Sequence, residues 1–281
     1  MSSNLFDFMG FAAKTDLENE DWKILFTSLE RDQAVFLNHQ DAFRSKEYKW
    51  PRDPLHTWSR LWEYPYVYYH LQRIQEQSPN EKLKVLDFGS GVTFFPFSVA
   101  QLGYDVTCAD IDPVCAVDIP AAAQVVRYAP GSVNVALIKN GVIPVESESQ
   151  DVVYCISVLK HIPDFESVMD EINRVLKPSG QFILTVDIDL RGNFELGIKE
   201  FQRLQTKLEQ NFVKIFPERV VHPSNLLTTS NSPYHMKSRS PFYPVKQILK
   251  YALRGQFVVG DLRVGLFLTA YSGIYKKYYF S

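Results

Sequence analysis

Val85-Leu86-Asp87-Phe88-Gly89-Ser90-Gly91-Val92-Thr93 is the stretch whose reading decides the fold. The apolar run from Leu83 to Phe88 has the length and composition of a buried strand. It ends in an acid and two glycines one residue apart. Missing Cβ atoms at such a turn let the backbone approach a ligand closely. A helix expected from about Phe95 would aim its free N–H groups back at the same point. Asp87, at the strand tip, is placed to bind a ligand's ammonium group, directly or through water. Asp110 ends the next strand 23 residues later, where it is placed to accept hydrogen bonds from both ribose hydroxyls of a nucleoside.

Around this turn, strand-like and helix-like runs alternate, the pattern of βαβ units and a parallel sheet. Expected strands cover Leu83–Phe88, Asp105–Asp110, Asn134–Ile138, Asp151–Ser157 and Gln181–Val186. The fourth is strongly β-branched and is expected at the sheet centre. Helices are expected over Phe95–Leu102, Pro113–Ala123 and Phe165–Leu176. The last is stopped by Lys177-Pro178-Ser179-Gly180, a turn whose glycine would take the positive φ.

Upstream, Glu18–Leu37 carries Trp22, Leu25, Phe26, Leu29, Val35 and Phe36, largely at helical spacing, and Trp50-Pro51-Arg52-Asp53-Pro54 breaks the pattern. A dense aromatic stretch from Trp58 to Tyr69 runs into a helix ending near Gln77. Downstream, a polar helix is expected over Phe194–Gln210 and strands over Phe212–Val221 and Gly265–Tyr275. Between them His222–Pro244 reads as a long loop rich in Pro, Ser, Thr and Asn. Long loops of this kind are more often functional than idle.

The whole chain has 281 residues, 46% hydrophobic and 22% charged, enough for a sizeable core without disulfides or metal. Its 30 basic and 32 acidic side chains leave a net charge of −2, which argues against a nucleic-acid partner. Cys108, Cys115 and Cys155 lack metal-ligand spacing, so no metal is expected. Cys108 and Cys155 sit in apolar runs as buried, reduced thiols, which suits a reducing compartment. The N-terminus lacks signal-peptide order, and no apolar run reaches the ~20 residues of a spanning helix. A cytoplasmic protein without membrane partner is expected.

A dinucleotide site would want a third glycine, and Phe94 stands there instead. An acid directly before the turn also matches a cationic aminoacyl group better than a diphosphate. Four blocks in order then carry a resemblance. They are Val85 to Gly91, Cys108-Ala109-Asp110-Ile111-Asp112-Pro113, Gln150 to Ile162 and Glu171 to Gln181. Over roughly residues 80 to 190 the chain resembles the class I S-adenosylmethionine-dependent methyltransferases, in the branch with many small-molecule enzymes.

The resemblance implies an α/β, Rossmann-like, doubly wound and mostly parallel sheet of about seven strands with a reversed C-terminal hairpin. It implies S-adenosylmethionine as cofactor, held by the turn Asp87, Phe88, Gly89, Ser90 and Gly91. Asp110 would bind the ribose, Ile111 would lie against the adenine, and Ser157 would line the cofactor near methyl transfer. Residues 1–80 would form an N-terminal helical lid. Residues 81–281 would form the cofactor-binding domain, with a substrate-covering insertion at about 190–250. Three positions depart from the pattern: Thr93 replaces a frequent glycine, Lys160 replaces an acid, and Lys139-Asn140-Gly141-Val142 lacks the acid that accepts the adenine amino group. There Asn140 could accept through its amide oxygen.

Methyl transfer from a sulfonium is an in-line displacement, so the protein's task is mainly positioning and exclusion of water. Where the acceptor must lose a proton, His161 is the leading general base. Its alternative is a structural histidine capping the chain near Pro163 and Asp164. His222 and His235 are weaker candidates. Asp187 and Asp189 could touch substrate or lie in an exposed turn, and Arg60 could bind the cofactor carboxylate or pair with Glu63 at the surface. Trp62, Tyr64 and Tyr66 are read first as packing and second as a pocket wall. The expected function is methyl transfer to O, N or C of a small organic acceptor. The alternatives are a non-catalytic cofactor-binding or partner-binding protein, or a peptide or RNA methyltransferase.

Overall fold

The computed structural model describes residues 5–190, 196–234 and 268–278. Its strands are β1 (Met9–Phe11), β2 (Lys84–Phe88), β3 (Asp105–Asp110), β4 (Ser132–Leu137), β5 (Gln150–Ile156), β6 (Leu176–Asp189), β7 (Phe212–Lys214), β8 (Glu218–Arg219) and β9 (Leu268–Lys277). The helices are α1 (Glu20–Asn38), α2 (Gln40–Phe43), α3 (Arg60–Gln77), α4 (Phe95–Gln101), α5 (Pro113–Ala122), α6 (Phe165–Val175) and α7 (Ile198–Asn211).

The strands join one sheet in the order β4-β3-β2-β5-β6-β9-β1-β8, with β7 also on β9. The run from β4 to β6 is parallel throughout. β9 lies antiparallel to β6 from Gln181 opposite Lys276 to Asp189 opposite Leu268, and β7 lies antiparallel to β9. The α/β class and reversed C-terminal hairpin expected from sequence are present. β5 is central, and Val152, Val153, Tyr154 and Cys155 are all fully buried, as a strand covered on both faces requires.

Among the described residues nine strands stand where about seven were expected, for two local reasons. Residues 212–221 form two short strands instead of one, because Pro217 lies between them and has no N–H for a ladder. Its carbonyl instead accepts the Met9 N–H at 3.0 Å and helps seat β1, which sequence periodicity had not marked. The stretch expected as a turn, residues 177–180, instead lies within the start of β6, where the register on β5 shifts. Ser179, and not Gly180, takes the left-handed φ of 65°. Gly180 is needed for space: a Cβ there would stand 2.9 Å from the Lys177 carbonyl oxygen.

α3 carries Pro65 in its interior, where proline removes the hydrogen bond to the carbonyl four residues back. That carbonyl, Leu61, accepts the indole N–H of Trp22 from α1 at 3.2 Å. The helix thus replaces a lost internal bond with one that ties α1 to it. Trp62 and Tyr66 are fully buried, stacked on each other at 5.2 Å and met edge-on by Phe6. Their polar tips are satisfied at Asp16 and at the Phe8 carbonyl. They belong to the core, each contributing about 1.5–3 kcal/mol or more by burial. All three cysteines are free and buried. Among the described residues no helix is long and apolar enough to cross a membrane.

Candidate functional site

The glycine turn sits at the carboxyl ends of β2 and β3. Gly89 and Gly91 both have positive φ, 74° and 53°. A Cβ on Gly89 would stand 2.5 Å from a Val158 methyl, so this glycine is required both for conformation and for space. The Gly89 N–H bonds the Ala109 carbonyl at 2.7 Å, which fastens the turn to the tip of β3. Asp110 accepts the Gly91 N–H at 2.8 Å on one oxygen and the Asp112 N–H at 2.9 Å on the other. Each oxygen keeps a second lone pair for another donor. Ile111, next in sequence, is 76% exposed, an apolar side chain standing in solvent beside the site. Phe88 is buried. Ser90 is also buried, and its hydroxyl, near the Cys108 thiol, has no regular hydrogen-bond partner.

Asp87 is only 5% exposed. Burial pushes its carboxyl up to about 8; the Tyr154 hydroxyl pulls the other way, and the charge of Asp110 adds a smaller push upward. That hydroxyl is close enough to influence Asp87 but makes no hydrogen bond of regular geometry. A buried acid held neutral at physiological pH is one that a cation would return to its charged form. The turn therefore offers a backbone cradle, a group requiring a positive partner and, at Asp110, an acceptor for hydroxyls. These features fit the aminoacyl and ribose ends of S-adenosylmethionine.

The N-terminal region also reaches this turn, which sequence reading missed. Tyr48 accepts the Val92 N–H at 3.3 Å, and Arg44 donates to the Val92 carbonyl at 3.0 Å. Ser45 bonds Asp118 of α5 through its backbone N–H, at 2.9 Å, and through its hydroxyl. Residues 44–48 thus form a strap between α5 and the glycine turn. Beyond it Trp50, 53% exposed, comes within 6.1 Å of the His161 ring. Only tertiary packing joins these residues, and no local pattern around Arg44 or Tyr48 signals it.

At the ends of β5 and β6 lies a network of charges. Ser157 is buried with φ 54°, an uncommon conformation for a residue with a side chain. Its hydroxyl donates to Glu63 of α3 at 2.8 Å. Arg60 pairs with Glu63 as the sequence suggested, but not at the surface: Glu63 is fully buried. Lys160 pairs with Asp187, which gives the cation at this position a buried partner. Asp187 and Asp189 are each 1% exposed, in contrast to the exposed-turn alternative, and one oxygen of Asp187 has no hydrogen-bond partner.

His161 closes a 3-10 turn, Leu159–His161, at the rim. The residue is exposed, yet crowding of its ring and then the Lys160 ammonium lower its pKa from 6.5. It does not cap the following helix. Asp164 does so, accepting from the Ser167 N–H and hydroxyl. His222 accepts the Ser224 N–H and caps its own turn, and His235 lies outside the described residues. Tyr64 differs from Trp62 and Tyr66: it stacks on Phe95 at 4.7 Å and responds to the charges of Arg60 and Asp87. Asn140 lies in a tight turn with Gly141, both at positive φ, closed by the Val142 N–H on the Lys139 carbonyl at 3.0 Å.

Residues 86–184 match the family model described as a methyltransferase domain. That segment is a methyltransferase domain. A sterol 4-C-methyltransferase of Caenorhabditis elegans, strm-1, is 29% identical over 50% of this chain and 41% of its own length. A ubiquinone biosynthesis O-methyltransferase of Pseudomonas aeruginosa is 31% identical over 53% of this chain and 58% of its own. The chain thus spans about half the length of the curated relatives it matches. Among solved structures, the 4+2 cyclase SpnF superposes with a TM-score of 0.52 at 15% identity, covering 90% of this chain and 95% of that one. That likeness concerns the fold alone. The methyltransferase domain contains the glycine turn from Leu86 on, Asp110, Ser157 and His161, whereas Arg44, Tyr48 and Glu63 lie outside the matched segment.

Proposed function

We propose that this chain binds S-adenosylmethionine at the glycine turn and transfers its methyl group to oxygen, nitrogen or carbon of a small organic acceptor. The observation that carries the reading is Asp87: a buried carboxyl, neutral near physiological pH, at the tip of β2 beside a turn in which Gly89 and Gly91 both take positive φ and Gly89 has no room for a side chain. The relatives' names, one a sterol and one a ubiquinone-pathway methyltransferase, support a small acceptor.

In this reading Asp87 holds the ammonium of the cofactor and Asp110 accepts from its ribose hydroxyls. Phe88, Ser90 and the two glycines supply the backbone cradle, and Ile111 covers one face of the adenine. Ser157 lies at the methyl-transfer end. The cofactor, when bound, supplies a methyl group already activated on a sulfonium. The protein orients the acceptor against it and excludes water. Residues 1–80 act as cover; of the substrate-covering insertion expected at about 190–250, residues 191–195 and 235–250 lie outside the described residues.

His161 is the proposed base for an acceptor that must lose a proton. Its lowered pKa leaves the imidazole neutral, and so able to accept, at pH 7. The test is a radiolabelled methyl-transfer assay against phenolic, sterol and amine acceptors, with wild type and His161→Ala. Turnover that falls about 10²–10⁴-fold in the variant supports the base. Near-normal turnover removes it. Cofactor binding without turnover on any acceptor class favours a non-catalytic role, and the likeness to a cyclase shows that this fold serves more than one chemistry.

A further inference from the structure

The two edges of the sheet are built differently. One edge is β8, two residues long and charged at both: Glu218 pairs with Lys214, and Arg219 pairs with Asp16. Short, charged edge strands keep other chains from adding to a sheet. The other edge among the described residues is β4, Ser132-Val133-Asn134-Val135-Ala136-Leu137. It has no charge and no proline. Its register on β3 runs without a bulge from Asp105 opposite Ser132 to Asp110 opposite Leu137. With none of these guards, its outward N–H and C=O groups form an open template for a further strand.

The surface beside that edge is uncharged as well. Ala116, Pro120 and Ala123 on the α5 side and Val133, Val135 and Leu137 of β4 line an open groove along the strand. Val117 of α5 is 63% exposed, and the one charged side chain of that helix, Asp118, is buried and held by Ser45. Exposed apolar strips of this kind mark contact surfaces. A charged partner finds nothing to pair with here, whereas a strand with the same alternation does, and this chain's own β4 is such a strand.

Self-pairing fits in one register. With Val135 opposite Val135 of a second copy, Val133 falls opposite Leu137 and Asn134 opposite Ala136. Opposed residues share a face in an antiparallel pair, so the three apolar side chains of each copy fill the groove together and both α5 helices flank it. Lys139, the first charged residue after the strand, falls opposite Gly131 and meets no like charge. A slip of one residue would set Val135 against Asn134 and send the two α5 helices to opposite faces. We propose that β4 pairs antiparallel with β4 of a second copy of this chain, about a two-fold axis at Val135, extending the sheet across a homodimer. The two glycine turns then lie at opposite ends of the joined sheet.

The test is sedimentation velocity on the full chain from about 1 to 100 µM, with backbone hydrogen exchange read by mass spectrometry at both ends of that range. Wild type should be dimeric at about 100 µM, and amides within residues 132–138 should exchange more slowly there than in the monomer. Val135→Lys sets two ammonium groups opposite each other at the axis and should leave a monomer throughout. Val117→Lys, on the exposed side of α5, should weaken association about 10-fold or more. Val220→Lys, at a residue 99% exposed and next to the guarded edge, should change nothing. Far-ultraviolet circular dichroism checks that each variant is folded. A wild-type chain that stays monomeric at about 100 µM overturns the proposal. So does a dimer whose amides at 132–138 exchange as fast as in the monomer, or one that survives both Val135→Lys and Val117→Lys. Protection of those amides in a monomer at every concentration also overturns it, because another segment of the same chain would then occupy the edge.

Discussion

Titrating S-adenosylhomocysteine into the protein at pH 7, in buffers of different ionisation enthalpy, reads the protonation of Asp87. The carboxyl is buried and its pKa stands near 8 in the ligand-free protein. At pH 7 it therefore holds about 0.9 of a proton. An ammonium placed beside it favours the charged form and drives that proton off. The amine of the ligand, that of a free amino acid and so more basic than a peptide terminus, is already an ammonium at this pH and takes up almost no proton. The net release should thus be about 0.8–0.9 proton. Affinity should also rise with pH from 6 towards 8.

Asp87→Asn should abolish both effects. The sign for stability is opposite. The folded value exceeds the unfolded 3.8, so the native state keeps a proton that the unfolded chain has lost between about pH 4 and 8, and stability declines across that window. The asparagine variant should therefore raise the stability of the ligand-free protein at pH 8, by roughly 2–5 kcal/mol, while weakening binding. Thermal melting with and without ligand measures both. Binding without proton release in wild type, or unchanged release in the variant, would refute the assignment of Asp87 to the ammonium.

Two further outcomes follow from the packing. Lys160→Met leaves the buried Asp187 carboxylate unpaired and should cost about 3–5 kcal/mol in denaturant unfolding, most of it recovered in Lys160→Met/Asp187→Leu; equal losses in the single and double variants would show that the pair is not what holds this corner. Trp22→Phe removes the donor to the Leu61 carbonyl and should cost about 1–3 kcal/mol. In a Pro65→Ala background, which restores the helical N–H, the same change should cost clearly less, and a double-mutant cycle without coupling would break the link between Pro65 and Trp22.

The βαβ core was legible in sequence because its signals are local. β3 and β5 are apolar strands bounded by turns, and the acid–glycine turn marks where β2 ends. What was not legible depends on partners distant in the chain. Lys160 looked like a departure until Asp187 was found beneath it. Arg60 and Glu63 could be paired from their spacing, but nothing local shows that Glu63 is buried under Ser157. The strap is the largest omission. Arg44 and Tyr48 lie in a polar stretch without periodicity, and their meaning comes from Val92 and Asp118, 44 to 73 residues away. The split of residues 212–221 was partly visible: Pro217 is a strand breaker that apolar alternation on either side concealed.

The central claim is that this methyltransferase domain holds its cofactor between Asp87 and Asp110. The most direct measurement is the affinity of the full chain for S-adenosylhomocysteine, with Asp110→Ala alongside. The account predicts saturable binding, weakened by about 1–3 kcal/mol in a variant whose far-ultraviolet circular dichroism is unchanged. No binding at millimolar ligand, or equal affinity in the folded variant, would contradict it.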